Sequence, residues 1–296
     1  MNHLFILNRL SWPIRLPIKW ALFGISVLIV CFPYPNRLVA HIKHWRDPNL
    51  LIEPNAPVIQ SFIEELRPQL NEQQTASETL NTIQNYVYAR IPYAWDWLTW
   101  GVADYLPTLS EVVAAGHEDC DGRAVVAASL LRSFGHEASI VTDFTHVWVK
   151  TELGETMGPG SKKAVVATKK GLQVQKGALA QLPRSFSYGI AVFPWQRELI
   201  ILVVAWLLML RRGGGALCNT VAMALLLDGL VFLRIGGKDH THLSYPVLAL
   251  GLVNTLGGVF VLLVWARYNA RAATALASKS KAEPRHRRAE QAARGL

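Results

Sequence analysis

Four apolar runs bracket one polar stretch, and that arrangement limits the chain to a membrane-anchored architecture. The first run is Trp20 to Phe32, extendable back to Leu16 past Lys19, and the second is Leu199 to Leu210. The third, Ala216 to Leu233, carries Asp228; the fourth, Tyr245 to Ala266, carries Asn254 and is closed by Trp265. A membrane crossing takes about 17–25 residues. The second run reaches that length only if Tyr188 to Glu198 contributes interfacial turns. None of the runs shows the polar face a helix in a soluble core would present, so four spans are expected. Composition agrees, with 51% hydrophobic and 17% charged residues.

The basic residues orient the spans. Arg9, Arg15 and Lys19 precede the first, Arg211 and Arg212 fill the turn after the second, and a basic tail follows the fourth. With four spans these segments share one side, the cytoplasm. Arg37, Lys43 and Arg46 lie on the other side and soften the contrast. A cleaved signal peptide is disfavoured because Pro33, Tyr34, Pro35 and Asn36 follow the apolar core where small residues are needed. Lipidation of Cys31 is disfavoured by Ile29 and Val30, so an uncleaved anchor is expected. The net charge of +9 is largely a tail effect, with eight Lys/Arg against two Glu from Arg267 onward. A basic, Ala-rich run after an apolar segment suits anionic lipid better than nucleic acid. An acid inside a span invites a functional reading. Asp228, six residues from Arg234, is expected to snorkel or pair at the interface rather than serve transport.

Between Asn36 and Trp195 the pattern is that of a folded domain. Helices are expected from Ala56-Pro57 through Leu70, from Ser77 to Arg90, and from Thr108 or Ser110 to Ala115. Strands are expected near Ala138 to Thr142, at His146 to Thr151 with a turn at Leu153-Gly154, and near Ala164 to Thr168. Helices followed by an antiparallel sheet give an α+β domain. The charge-poor helix from Cys120 to a stop at Gly135 reads as a buried central helix with a cysteine at its mouth. A thiol there feels the positive end of the helix dipole, which favours the thiolate, while Asp119 and Asp121 oppose it. Cys31 and Cys218 lie in apolar runs, leaving Cys120 as the one cysteine in a polar setting. His146 opens a strand after a loop containing Asp143. A nucleophile on a helix and a base on a strand suit acyl transfer, against the plainer alternative of a structural Cys and His.

Several segments carry a family resemblance: Tyr93 with Asp96, Trp100-Gly101-Val102-Ala103-Asp104-Tyr105, Pro107-Thr108 with Glu111, and Gly116 with Asp119-Cys120-Asp121. In this order they resemble the bacterial transglutaminase-like cysteine proteases. The segment from Leu130 to Gly135 and His146-Val147-Trp148-Val149 are similar to the wider transglutaminase-like superfamily. The match covers about residues 76 to 160 and none of the apolar runs. It implies a papain-like core with Cys120 as nucleophile and His146 as general base. The family's third member, an aspartate often followed by proline on the next strand, has no counterpart. Gly158 stands where alignment on Pro159 puts the acid, and no Asp or Glu occurs from Thr156 to Arg197. Asp143, Glu152 and Glu155 are the nearest carboxylates, and Ser161 is the neutral candidate to orient His146.

The resulting plan is an anchor over residues 1–35, a papain-like α+β domain over 36–195 inserted between transmembrane helices and facing outside the cytoplasm, a three-helix membrane region over 196–268, and a basic cytoplasmic tail over 269–296. The location is the cytoplasmic membrane, with lipid and a peptide or protein substrate as partners. No nucleic acid, cofactor or metal is expected, and no protein partner is legible. Two functions stand: a thiol peptidase or amidase, and an inactive transglutaminase-like binding or scaffold module.

Overall fold

The computed structural model describes residues 7, 10–71, 73–142, 146–158, 186–210, 215–238, 244–265 and 268, with backbone alone for 12, 165–168, 171–174 and 265. In chain order the helices are α1 (Trp12–Cys31), α2 (Pro35–Arg46), α3 (Gln60–Leu66), α4 (Ala76–Arg90), α5 (Asp96–Thr99), α6 (Leu109–Ala115) and α7 (Cys120–Ser133). They continue as α8 (Phe186–Val192), α9 (Trp195–Met209), α10 (Ala216–Gly237) and α11 (Tyr245–Phe260). The strands are β1 (Ala138–Thr142), β2 (Val147–Thr151), β3 (Gly154–Thr156), β4 (Val165–Thr168) and β5 (Gly171–Val174). Two compact units result, Leu28–Ser185, and Met1–Val27 with Phe186–Leu296.

The first unit is α+β. Its three-stranded antiparallel sheet has β2 in the middle, and β4 pairs with β5 in a separate hairpin. The central helix is α7: Val125, Val126, Leu130 and Leu131 are wholly buried, with Ile83 and Val87 of α4 and Val149 of β2 in the same core. Two helix starts follow one rule. Thr75 and Glu78 form a reciprocal capping box at α4, and Thr108 and Glu111 form another at α6. The outer strand β1 has its Ile140 N–H satisfied by Asn49 Oδ1 at 2.8 Å. The helix expected through Leu70 is broken into 3₁₀ turns at Pro57–Ile59 and Arg67–Gln69 around α3. Pro68 supplies no N–H for a bond back to Glu64, so the α-ladder cannot continue.

In the second unit three helices are long and apolar enough to cross a membrane: Pro13–Cys31, Ala216–Gly237 and Tyr245–Val264. The second expected run is a bent pair, with α8 and α9 meeting at 111°, and makes a fourth span only if the pair counts as one. Arg211, Arg212 and the tail from 269 onward lie outside the described residues. The interfacial pairing expected of Asp228 is not found. Arg234 instead bonds Glu198 and the carbonyls of Ile190 and Phe193, while Asp228 accepts from Asn254 Nδ2 at 2.6 Å.

Glycine spacing explains how α10 and α11 meet. Ala222, Gly229 and Gly236 recur at seven-residue intervals and face Gly251 and Gly258, also seven apart. A Cβ at Gly229 would lie 2.4 Å from Thr255 Oγ1 and 2.9 Å from the Gly251 carbonyl. Gly229→Leu is therefore expected to destabilise the pair by about 1–3 kcal/mol, read as a lower unfolding temperature in detergent.

Candidate functional site

Two loops and one helix mouth build the site. The Glu118 N–H donates to the Pro92 carbonyl at 3.0 Å and the Ala94 N–H to the Glu118 carbonyl at 3.2 Å, clamping the loop before α5 to the loop before α7. Asp119 caps α7 by accepting the Asp121 N–H at 3.0 Å, which starts the helix at Cys120. Gly122, in the first turn, leaves room for its neighbour: a Cβ there would sit 2.1 Å from Glu118 Cγ. The Glu118 side chain is thereby buried against the helix. Farther along, the Arg123 guanidinium lies over the rings of Tyr88 and Tyr93 at 4.9 and 5.1 Å.

Cys120 is half-buried, and its thiol donates to Asp121 Oδ1 at 3.2 Å. The sulfur also receives a hydrogen bond from the Val147 N–H, so it sits at the first residue of β2, one position from His146. The structure thus brings the helix mouth to the strand start. Burial first, then the charges of Asp121 and Asp119, push the thiol well above its ordinary value, only partly offset by Val147.

His146 has a partner that its sequence context does not advertise. Its Nε2 lies 2.9 Å from the Met157 carbonyl oxygen. A carbonyl only accepts, so Nε2 carries the proton and Nδ1 carries the basic lone pair. Met157 adopts φ 61°, the one positive φ among the described non-glycine residues. Gln84 holds this conformation, since its Oε1 accepts the Met157 N–H at 3.0 Å and the Thr156 hydroxyl at 3.2 Å. A chain of contacts therefore runs from α4 through Gln84 and Met157 to the imidazole.

Other candidates for orienting His146 fall elsewhere. Glu152 bonds His136 at 2.8 Å, and Glu155 pairs with Lys150 in the sheet register. Asp143 and Ser161 lie outside the described residues. A Cβ on Gly158 would contact Trp148 at 3.8 Å, so an acid placed there would start along the indole. Sequence reasoning missed Gln84 because a glutamine on an amphipathic helix carries no signal of its target.

A buried acidic cluster flanks the thiol. Asp96 is 2% exposed and Glu118 fully buried. Asp96 Oδ2 accepts the Tyr105 N–H at 2.5 Å and Glu118 Oε1 the Trp100 indole N–H at 2.9 Å. Asp96 Oδ1 and Glu118 Oε2 find no donor among the described residues, although the two carboxyls are neighbours. Burial, reinforced by neighbouring carboxylates, raises Asp96 to about 11, Glu118 to about 8 and Asp119 to about 7. Asp96, Glu118 and Asp119 each offer an oxygen within 4.8 Å of the others, and Asp119, Cys120 and Asp121 make a similar group, so the same spacing admits a small cation.

No family model matches the chain, and comparison with curated proteins and with solved structures gives no significant match. The functional reading therefore rests on the residues themselves.

Proposed function

We propose that the domain over residues 36–195 is a papain-like, transglutaminase-like thiol enzyme, held between membrane helices outside the cytoplasm, that opens peptide or amide bonds through Cys120. The carrying observation is the tautomer at His146: Met157 fixes the proton on Nε2, and Cys120 sits against the adjacent Val147 N–H. In the reaction Nδ1 takes the thiol proton, and sulfur attacks the carbonyl carbon to give a tetrahedral intermediate. That intermediate collapses to a thioester as the C–N bond breaks, with the imidazolium returning the proton to the leaving amine. Water, activated by the same nitrogen, then releases the acyl group. Asp119 already holds the Asp121 N–H, which leaves the Cys120 N–H at the helix mouth as the nearest donor to the oxyanion. The Met157 carbonyl takes the part an acid plays in a triad, that of holding the ring and its tautomer.

The acidic surround supports a second reading, an inactive binding module, because it keeps the thiol protonated. Acylation separates the two. The full chain in detergent, treated with an activated peptide ester at neutral pH, is expected to form a hydroxylamine-sensitive adduct on Cys120 and none on Cys31 or Cys218. Gln84→Leu removes the brace on Met157 and is expected to slow acylation about 10²-fold while Cys120 stays accessible to small alkylating agents. Absence of any adduct on the wild-type chain would favour the binding module.

A further inference from the structure

A flank of α10, beside the glycine seam that meets α11, carries a pattern of its own. Val221, Ala224, Asp228, Val231 and Ile235 are all exposed, and their spacing alternates between three and four residues. That is the seam of a helix made to pack against another helix, with small and β-branched residues and one acid at its centre. Asp228 stands twelve residues after Ala216 and nine before Gly237. At 1.5 Å per residue this is about 18 Å and about 14 Å from the ends, mid-depth for a hydrocarbon core of about 30 Å.

The acid at the centre of this seam is incompletely compensated. Asn254 Nδ2–H donates to Asp228 Oδ2 at 2.6 Å, and no cation reaches Asp228 among the described residues. Among the described residues of the three long apolar helices the cations are Arg15 and Lys19 near the start of α1 and Arg234 near the end of α10. Arg234 is held by Glu198, Ile190 and Phe193, and the Lys19 ammonium donates to the Leu208 carbonyl. Among these residues a second copy offers no cation at mid-span. An intramembrane carboxylate is costly unless a partner neutralises it.

We infer that this face of α10 docks a transmembrane helix of another chain bearing a lysine or arginine at mid-depth. Asp228 is the charge partner, Asn254 fixes the orientation of its carboxylate, and Val221, Ala224, Val231 and Ile235 form the apolar seam around it. The inference rests on α10 and α11 crossing a membrane, and is independent of the chemistry at Cys120.

The test uses the full chain, donor-labelled and reconstituted in phosphatidylcholine vesicles, with acceptor-labelled Leu/Ala helical peptides that differ only in a central Lys or Leu. Energy transfer is expected to show at least tenfold tighter association of the Lys peptide. Asp228→Asn should abolish the advantage, Asp228→Glu should keep it, and Asn254→Leu should reduce it. Equal association of the two peptides with vesicle-embedded wild type would overturn the inference, as would a Lys advantage that survives Asp228→Asn. Self-association of the wild type that is lost in Asp228→Asn would assign the face to a second copy and overturn it as well. A chain extracted from the vesicles by alkaline carbonate would remove the membrane reading and this inference together.

Discussion

Cys120→Ala is expected to abolish acylation of the full chain, and His146→Ala to slow it by about 10⁴-fold or more. Neither change should alter helix content, since the Cys120 side chain is not part of the core and α7 is started by the Asp119 cap. Mass spectrometry of the adduct and the single-turnover rate provide the measurements. The pH profile carries further information, because the charged form of the thiol is the reactive one. Burial and the negative charges of Asp121 and Asp119 disfavour that form, so its pKa lies high and the thiolate fraction at neutral pH is small. Alkylation of Cys120 should therefore keep accelerating with pH beyond the range where an ordinary thiol levels off. Asp121→Asn removes the largest charge contribution and should raise the alkylation rate at neutral pH. A neutral-pH alkylation rate unchanged by Asp121→Asn would show that the carboxylate does not govern the thiol.

The elements were legible where local chemistry decides them. The Cys120 helix and the Ala138–Thr142 strand are visible in the sequence because a charge-free run ends at Gly135 and is followed by β-branched residues. The sequence left Thr108 and Ser110 as cap candidates, and the structure uses Thr108, with Glu111 closing the capping box. The expectation from residue types was a hydrogen bond between the Cys120 and His146 side chains, and the structure sets the sulfur against the Val147 N–H beside that histidine. What orients His146 was not. The sequence directed attention to a missing carboxylate, whereas the structure uses a main-chain carbonyl, and every residue has one. Its direction depends on a positive φ at Met157, imposed by Gln84 from a helix 73 residues earlier in the chain. No local pattern encodes such a contact. The pairing of Asp228 is hidden for a related reason. Its nearest basic neighbour in sequence, Arg234, is taken by Glu198, and the true partner comes from the next helix.

Glu118→Gln is expected to stabilise the Cys120 domain at alkaline pH and to flatten its dependence on pH. Glu118 is fully buried with a carboxyl raised from 4.5 to about 8, chiefly by burial and then by Asp119, while Trp100 and Asp96 pull it back. Its folded-state pKa thus exceeds the unfolded one. The sign follows from linkage: below about pH 4.5 both states are protonated, and between there and pH 8 folding takes up a proton, so stability falls as pH rises. The loss across that window is on the order of a few kcal/mol. Asp96, raised to about 11, and Asp119, raised to about 7, also take up protons on folding, so Glu118 adds its own part to a slope of the same sign. Glutamine preserves the acceptor for the Trp100 indole at Oε1 and removes the titrating carboxyl. Unfolding followed by tryptophan fluorescence from pH 5 to 9, with a chelator present so that protons alone titrate, should show a falling midpoint for the wild type. For Glu118→Gln the midpoint should fall less steeply, because Asp96 and Asp119 still titrate, and should be higher than wild type at pH 9. Parallel curves for the two proteins would mean that the Glu118 carboxyl does not titrate across this window.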